Sequence, residues 1–110
     1  MYVNVDPALF QTLADPTRLR LVEAMRRGEC AVGELVERVD IAQSGVSRHL
    51  RILSDAGLVQ VRPEGQRRLY SLRPEPFREL DAWLDGYRLL WESRLDRMAA
   101  QLPRSKDPSA

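Results

Sequence analysis

The stretch VGELVERVDIAQSGVSRHLRILSDAGLV, residues 32–59, decides the reading of this chain. Val32, Leu35, Val36 and Val39 recur at helical spacing, with Glu34, Glu37 and Arg38 between them, so a short amphipathic helix is expected over Val32–Val39. Asp40-Ile41-Ala42 is too brief for anything but a tight turn, and Gln43–Ala56 forms a second helix closed by Gly57. Two short helices joined by a turn of this length make a helix-turn-helix unit, whose second helix enters the DNA major groove while the first braces it.

The second helix divides into two faces. At roughly 100° per residue, Val46, Leu50 and Leu53 gather on one side and Ser44, Arg48, Arg51 and Asp55 on the other, with Gln43 and Ser47 between them near the start. Arg can bond two acceptors on guanine, Gln can bond both edge groups of adenine, and Ser reaches phosphate or base. An Arg-bearing face on one helix could equally be an ordinary solvated surface. The adjoining segment decides between the two readings.

From Leu58 to Leu72 the pattern turns β-prone. Leu-Val-Gln-Val-Arg and Arg-Leu-Tyr-Ser-Leu flank Pro63-Glu64-Gly65-Gln66, which reads as a hairpin carrying Arg62, Arg67 and Arg68 around a Gly-bearing tip. Laid beside the reading helix, it would be a wing whose tip reaches the neighbouring backbone or minor groove. Charge agrees. Net charge is +1, but residues 41–73 hold six Arg against Asp55 and Glu64, while residues 1–40 and 74–102 each come to −2. Positive charge thus concentrates on the motif, as a phosphate-binding footprint requires.

Upstream, Asp6-Pro7 and Asp15-Pro16 repeat one signal, an Asp cap followed by Pro at the first helical position. They predict helices over Pro7–Ala14 and Pro16–Arg27, the second burying Leu19, Val22 and Met25 before Gly28, with Glu29-Cys30-Ala31 as a connector. Downstream, Pro74 and Pro76 lead into a long helix over Glu75–Leu102, followed by a polar tail, Pro103–Ala110, expected to be disordered. Phe77, Leu80, Leu84, Tyr87, Trp91, Leu95, Met98 and Leu102 follow steps of three or four along it, widened by Trp83 and Leu90. A helix about 40 Å long exceeds what a small body can cover. Its seam, with Leu9 and Phe10 of the first helix, is therefore expected to bury against a second copy of the chain. A domain of this size also gains stability by hiding apolar surface that way.

The blocks LADPTRLRLVEAM (residues 13–25), VGELVERVDIAQSGVSRHLRILSDAGLV and EGQRRLYSL (residues 64–72) resemble, in order and spacing, the ArsR-type family of winged helix repressors over about residues 9–100. The resemblance implies a mainly helical five-helix homodimer with one two-stranded wing per subunit, repressing transcription from double-stranded DNA. It carries DNA contact to Gln43, Ser44, Ser47, Arg48 and His49 in the reading helix and to Gln66, Arg67 and Arg68 in the wing. Arg51 rests on the face analysis of the helix alone, and Arg62 on its place in the hairpin. His49, at the flank of the apolar side, reads as a structural or phosphate-bonding histidine ahead of a base reader or pH sensor.

The chain departs from the family's metal-sensing pattern. Where founding members carry a Cys-x-Cys pair it has Ala31 and Gly33, with Cys30 one residue off, and a single thiol cannot assemble a soft metal site or an intrachain disulfide. On the last helix Asp81, Asp85, Glu92 and Asp96 stand where another sensing site of the family uses Asp, Glu and His, but no His accompanies them. The last segment, FRELDAWLDGYRLLWESRLDRM (residues 77–98), is similar to a branch lacking the usual ligands, so no metal or cofactor is expected and the effector is unassigned. Ala31 and Ala42 stand where side-chain caps would be expected.

An enzyme is rejected, because one His, one Cys and no Gly-rich phosphate loop leave no catalytic set. The alternative is a winged helix used for protein contact alone, which would carry an apolar or acidic outer face where this chain has Arg48 and Arg51. The opening Met-Tyr-Val-Asn-Val-Asp-Pro lacks the basic start and apolar run of a secretory leader, and no stretch approaches the ~20 apolar residues of a membrane span. The expected location is the cytoplasm, with no membrane partner.

Overall fold

The computed structural model describes residues 5–92. Its elements are α1 (Pro7–Leu13), α2 (Pro16–Ala24), β1 (Cys30–Ala31), α3 (Val32–Val39), α4 (Gln43–Asp55), β2 (Val59–Glu64), β3 (Arg67–Leu72), α5 (Pro74–Asp85) and α6 (Leu89–Trp91). Both Asp-Pro starts behave as the sequence requires. The Asp6 carboxylate accepts from the Ala8 N–H at 3.0 Å, and that of Asp15 accepts from Thr17 and Arg18 at 2.8 and 3.1 Å.

Leu21, Val22, Met25, Leu35, Val39, Val46, Leu50, Leu53, Leu58 and Val59 close a single core, with Cys30 among them. It fills the space between α2, α3, α4 and the sheet, so the reading helix rests on the body along its whole apolar side.

Helix α2 ends earlier than its apolar spacing predicts. From Met25 the bonds tighten, with Arg26 N–H returning to Glu23 and Gly28 N–H to Met25, which turns Met25 into the core and leaves Arg26–Gly28 outside the helix. The buried stripe is Leu21, Val22 and Met25; Leu19 lies roughly 110° from its middle and is 43% exposed, so its expected burial is corrected.

The segment expected to be a mere connector contributes a strand. Cys30 pairs with Tyr70 and Ala31 with Leu69, giving an antiparallel three-stranded sheet in the order β1-β3-β2. In the hairpin proper, Val59 pairs with Leu72, Val61 with Tyr70 and Glu64 with Arg67. Only Gly65 and Gln66 remain in the loop. Gly65 adopts φ +62° and Gln66 does not take a positive φ, the order a type II′ turn demands. Pro63 is tolerated because β2 is an edge strand.

The last helix is interrupted. After Asp85 the N–H groups of Gly86, Tyr87 and Arg88 bond three residues back, to Trp83, Leu84 and Asp85, and α6 comes next as a short separate turn. Gly86 is a poor helix former, and Arg88 is drawn back onto Asp85 at 2.7 Å. Tighter winding rotates the described residues beyond the break by about 20° for each residue wound that way, so the straight seam expected from Glu75 is interrupted at Gly86. Its second half beyond Glu92, with Leu95, Met98 and Asp96, lies outside the described residues, as does the 103–110 tail.

Candidate nucleic-acid interface

Between α3 and α4 the chain turns through Asp40, whose φ of 58° and ψ of 44° are left-handed, a conformation Asp tolerates better than most residues. The turn is pressed onto the helix it starts, since a Cβ at Gly45 would lie 3.2 Å from Ile41 Cδ1. No side chain caps either helix start, as Ala31 and Ala42 imply. Glu34 nevertheless reaches back to accept from the Ala31 N–H at 2.8 Å, the carboxylate half of a capping box.

On α4, Val46, Leu50 and Leu53 are fully buried, while Gln43, Ser44, Ser47, Arg48 and Arg51 are exposed. Among the described residues Arg48 has no ion-pair partner. Arg51 has only Asp55, at 4.0 Å with both side chains largely in solvent, a pairing too weak to hold it. His49 differs from its neighbours. It is half-buried and turned toward α2, its Nδ1 3.3 Å from Nη1 of Arg18.

The hairpin lies beside α4, and a cleft of about 510 Å³ between them is lined by Gln43, Ser47, Arg51 and Asp55 on one side and by Val61, Arg68 and Tyr70 on the other. Strand alternation sorts the wing arginines. Val61, Arg68 and Tyr70 share the face toward α4, whereas Arg62, Glu64 and Arg67 occupy the opposite face. There Arg62 makes a two-pronged pair with Glu29, both contacts 2.9 Å, and Arg67 lies 3.5 Å from Glu64. The Arg62 hydrogen bonds hold the Glu29 carboxyl below its ordinary range. Arg62, expected among the wing's DNA contacts, is thus engaged in tying the hairpin to the residue before β1. Gln66 sits at the exposed tip.

Of the expected contact residues, Gln43, Ser47, Arg51 and Arg68 come together around one cleft, Ser44 and Arg48 flank it on the outer face of α4, His49 and Arg62 are held elsewhere, and Arg67 lies on the wing's other face with only an exposed pair to Glu64. Tyr70 was missed in the sequence, although its alternation with Arg68 along β3 would have placed it on the same wall. Arg18 was missed because nothing local links residues 18 and 49.

Cys30 is buried, its thiol 3.5 Å from the Ala24 carbonyl, and burial pushes it above the ordinary thiol range. It is therefore kept in the unreactive protonated form. Among the described residues no three His, Cys, Asp or Glu side chains cluster as metal ligands, and no helix is long and apolar enough to cross a membrane.

A helix-turn-helix with a free arginine on its outer face and a basic hairpin alongside defines a winged helix-turn-helix DNA-binding protein. Residues 15–61 match the family model described as bacterial regulatory protein, arsR family. The HTH-type transcriptional regulator Rv2034 of Mycobacterium tuberculosis is 42% identical over 78 residues, covering 71% of this chain and 73% of that one. The arsenic resistance transcriptional regulator ArsR1 of Pseudomonas putida is 41% identical over 81 residues, 73% of this chain and 63% of that one. Among solved structures, the ArsR family transcriptional regulator RHA00566 superposes with a TM-score of 0.67 at 34% identity, covering 84% of this chain and 99% of that one. HlyU of Vibrio cholerae gives 0.61 at 32% identity, over 72% and 87%. The chain belongs to the arsR family of bacterial regulatory proteins and is a DNA-binding transcriptional repressor.

Proposed function

We propose that two copies of the chain bind a pseudo-palindromic operator in the cytoplasm, each inserting α4 into the major groove. Gln43, Ser44, Ser47, Arg48 and Arg51 then face base edges and adjoining phosphates. Arg68 and Gln66 track the flanking backbone, with Arg67 at the wing's outer side. Arg62 anchors the wing rather than touching DNA. The observation that carries this reading is the cleft between α4 and the hairpin, lined by Arg51 from the helix and by Arg68 from the hairpin. With Arg51 only loosely paired to Asp55 in solvent, two arginines lining one open cleft are suited to an anion, and a sugar–phosphate backbone supplies one. Dimerisation through α1 and α5 fits the family's symmetric mode, in which half-sites lie a helical turn, or a multiple of it, apart.

Selection of bound fragments from genomic DNA, with gel shifts on the enriched duplex, tests the proposal. A preferred pseudo-palindrome is expected, with Arg48→Ala losing about 1–3 kcal/mol of specific binding. Enrichment of no duplex, or an Arg48→Ala variant as tight as the parent, would remove α4 from the role given to it.

A further inference from the structure

His49 is the chain's one histidine and belongs to the reading helix, yet its ring is gripped from behind. The Arg18 side chain that grips it is itself fixed. Its Nε donates to the Thr12 carbonyl at 2.7 Å, its Nη1 lies 3.3 Å from His49 Nδ1, and its backbone N–H is held by Asp15 at 3.1 Å. A guanidinium has donors and no acceptor. The contact therefore requires a lone pair on Nδ1, and the neutral imidazole must carry its proton on Nε2, on the far side of the ring. A proton on Nδ1 would instead face the N–H groups of Arg18.

This matters for a helix that meets phosphates. A ring free in water favours Nε2–H but still samples Nδ1–H, which turns a repelling lone pair outward, and it rotates; the Arg18 contact removes that form and fixes the ring's orientation, so that a donor is always presented. We propose that Arg18 is a positioning residue for DNA binding, which sets the His49 tautomer so that Nε2–H donates to a backbone phosphate beside α4. The inference rests on the reading of α4 as the DNA-facing helix. It adds a residue from α2, outside the helix-turn-helix, to the determinants of affinity.

Nitrogen-15 NMR of the imidazole, on the full chain without DNA, tests the first half, and a lone histidine makes the signal unambiguous. The Nε2–H tautomer is expected in the parent, with Nδ1–H appearing in Arg18→Met. Against the best-bound duplex, Arg18→Met and His49→Phe should each weaken binding by about fivefold to tenfold, and the double variant should lose no more than either alone. Arg18→Lys, which keeps a donor, should recover part of the loss. A parent in the Nδ1–H form, a folded Arg18→Met of undiminished affinity, or losses that multiply would each overturn the assignment. Should Arg18→Met fail to fold, the parent's tautomer and Arg18→Lys still decide it. A parent that prefers no duplex brings down the underlying DNA reading, an outcome told apart because the tautomer is measured without DNA.

Discussion

Arg67 and Arg68 are chain neighbours with opposite fates. The pleat sends one toward Glu64 and the other toward α4, so identical residue types differ in how much charge they offer a ligand. Arg62 is further committed, because both prongs of its guanidinium meet Glu29. This distinction is measurable through counterion release, where each phosphate neutralised contributes about 0.9 to the slope of log affinity against log salt. Arg68→Ala, which removes one contact from each of the two copies, should flatten the slope by about 1.8, whereas Arg62→Ala should leave it within error of the parent. Equal effects in salt titrations of the two variants would mean that the Glu29 pair does not withhold Arg62 from DNA.

At the scale of elements, the wing is held by two different things, the β1–β3 pairing and the Glu29–Arg62 pair. The second is titratable. Arg62 lowers the Glu29 pKa in the folded chain, so the stabilisation is complete above the ordinary carboxylate range and disappears as pH falls through the lowered folded value. Glu29→Gln should therefore shift the urea midpoint downward at neutral pH and match the parent in strong acid. A gap that persists unchanged across urea titrations from neutral to acid would assign the loss to packing instead.

The sequence made several of these elements legible, and the reasons are local. Asp6 and Asp15 each sit directly before Pro, Val46, Leu50 and Leu53 keep helical phase, and a Gly marks the hairpin tip, so α1, α3, α4 and the wing could be read in place. Strand β1 could not, because two residues carry no period and their partner lies about forty positions on. The Glu29–Arg62 and Arg18–His49 contacts, 33 and 31 positions apart, were hidden for the same reason. Gly86 was in plain view, but the apolar steps running through it outweighed a single weak helix former in the reading.

For the whole molecule, the central question is what covers the apolar side of the last helix. Phe10 of α1 stands edge-on to Trp83 of α5 with centroids 5.4 Å apart, and Trp83 tilts against Tyr87 at 5.0 Å. Leu9 and Phe77 are partly buried against the core and so serve the subunit's own body, while Leu80 is half-buried. Trp91 is half-buried too, with Arg88 6.0 Å from its ring. Phe10, Leu84 and Tyr87 remain between 41% and 46% exposed, and Leu89 and Leu90 are 77% and 70% exposed. Apolar side chains this open on one side are what the proposed dimer would cover. Leu84→Glu should shift the species seen by sedimentation velocity toward monomer and weaken operator binding together with it; a variant that remains dimeric would place the interface elsewhere.

The pairing of Cys30 with Tyr70 also sets an order of events as the chain folds. The hairpin closes over a two-residue loop and can form within microseconds on its own, but β1 must wait for a far longer loop to close, at a correspondingly greater entropic cost. A nascent chain that has completed α3 and α4 therefore has a recognition motif and a seat, Glu29 and β1, but no wing to fill it, and only the arrival of β3 lets the early and late halves lock together.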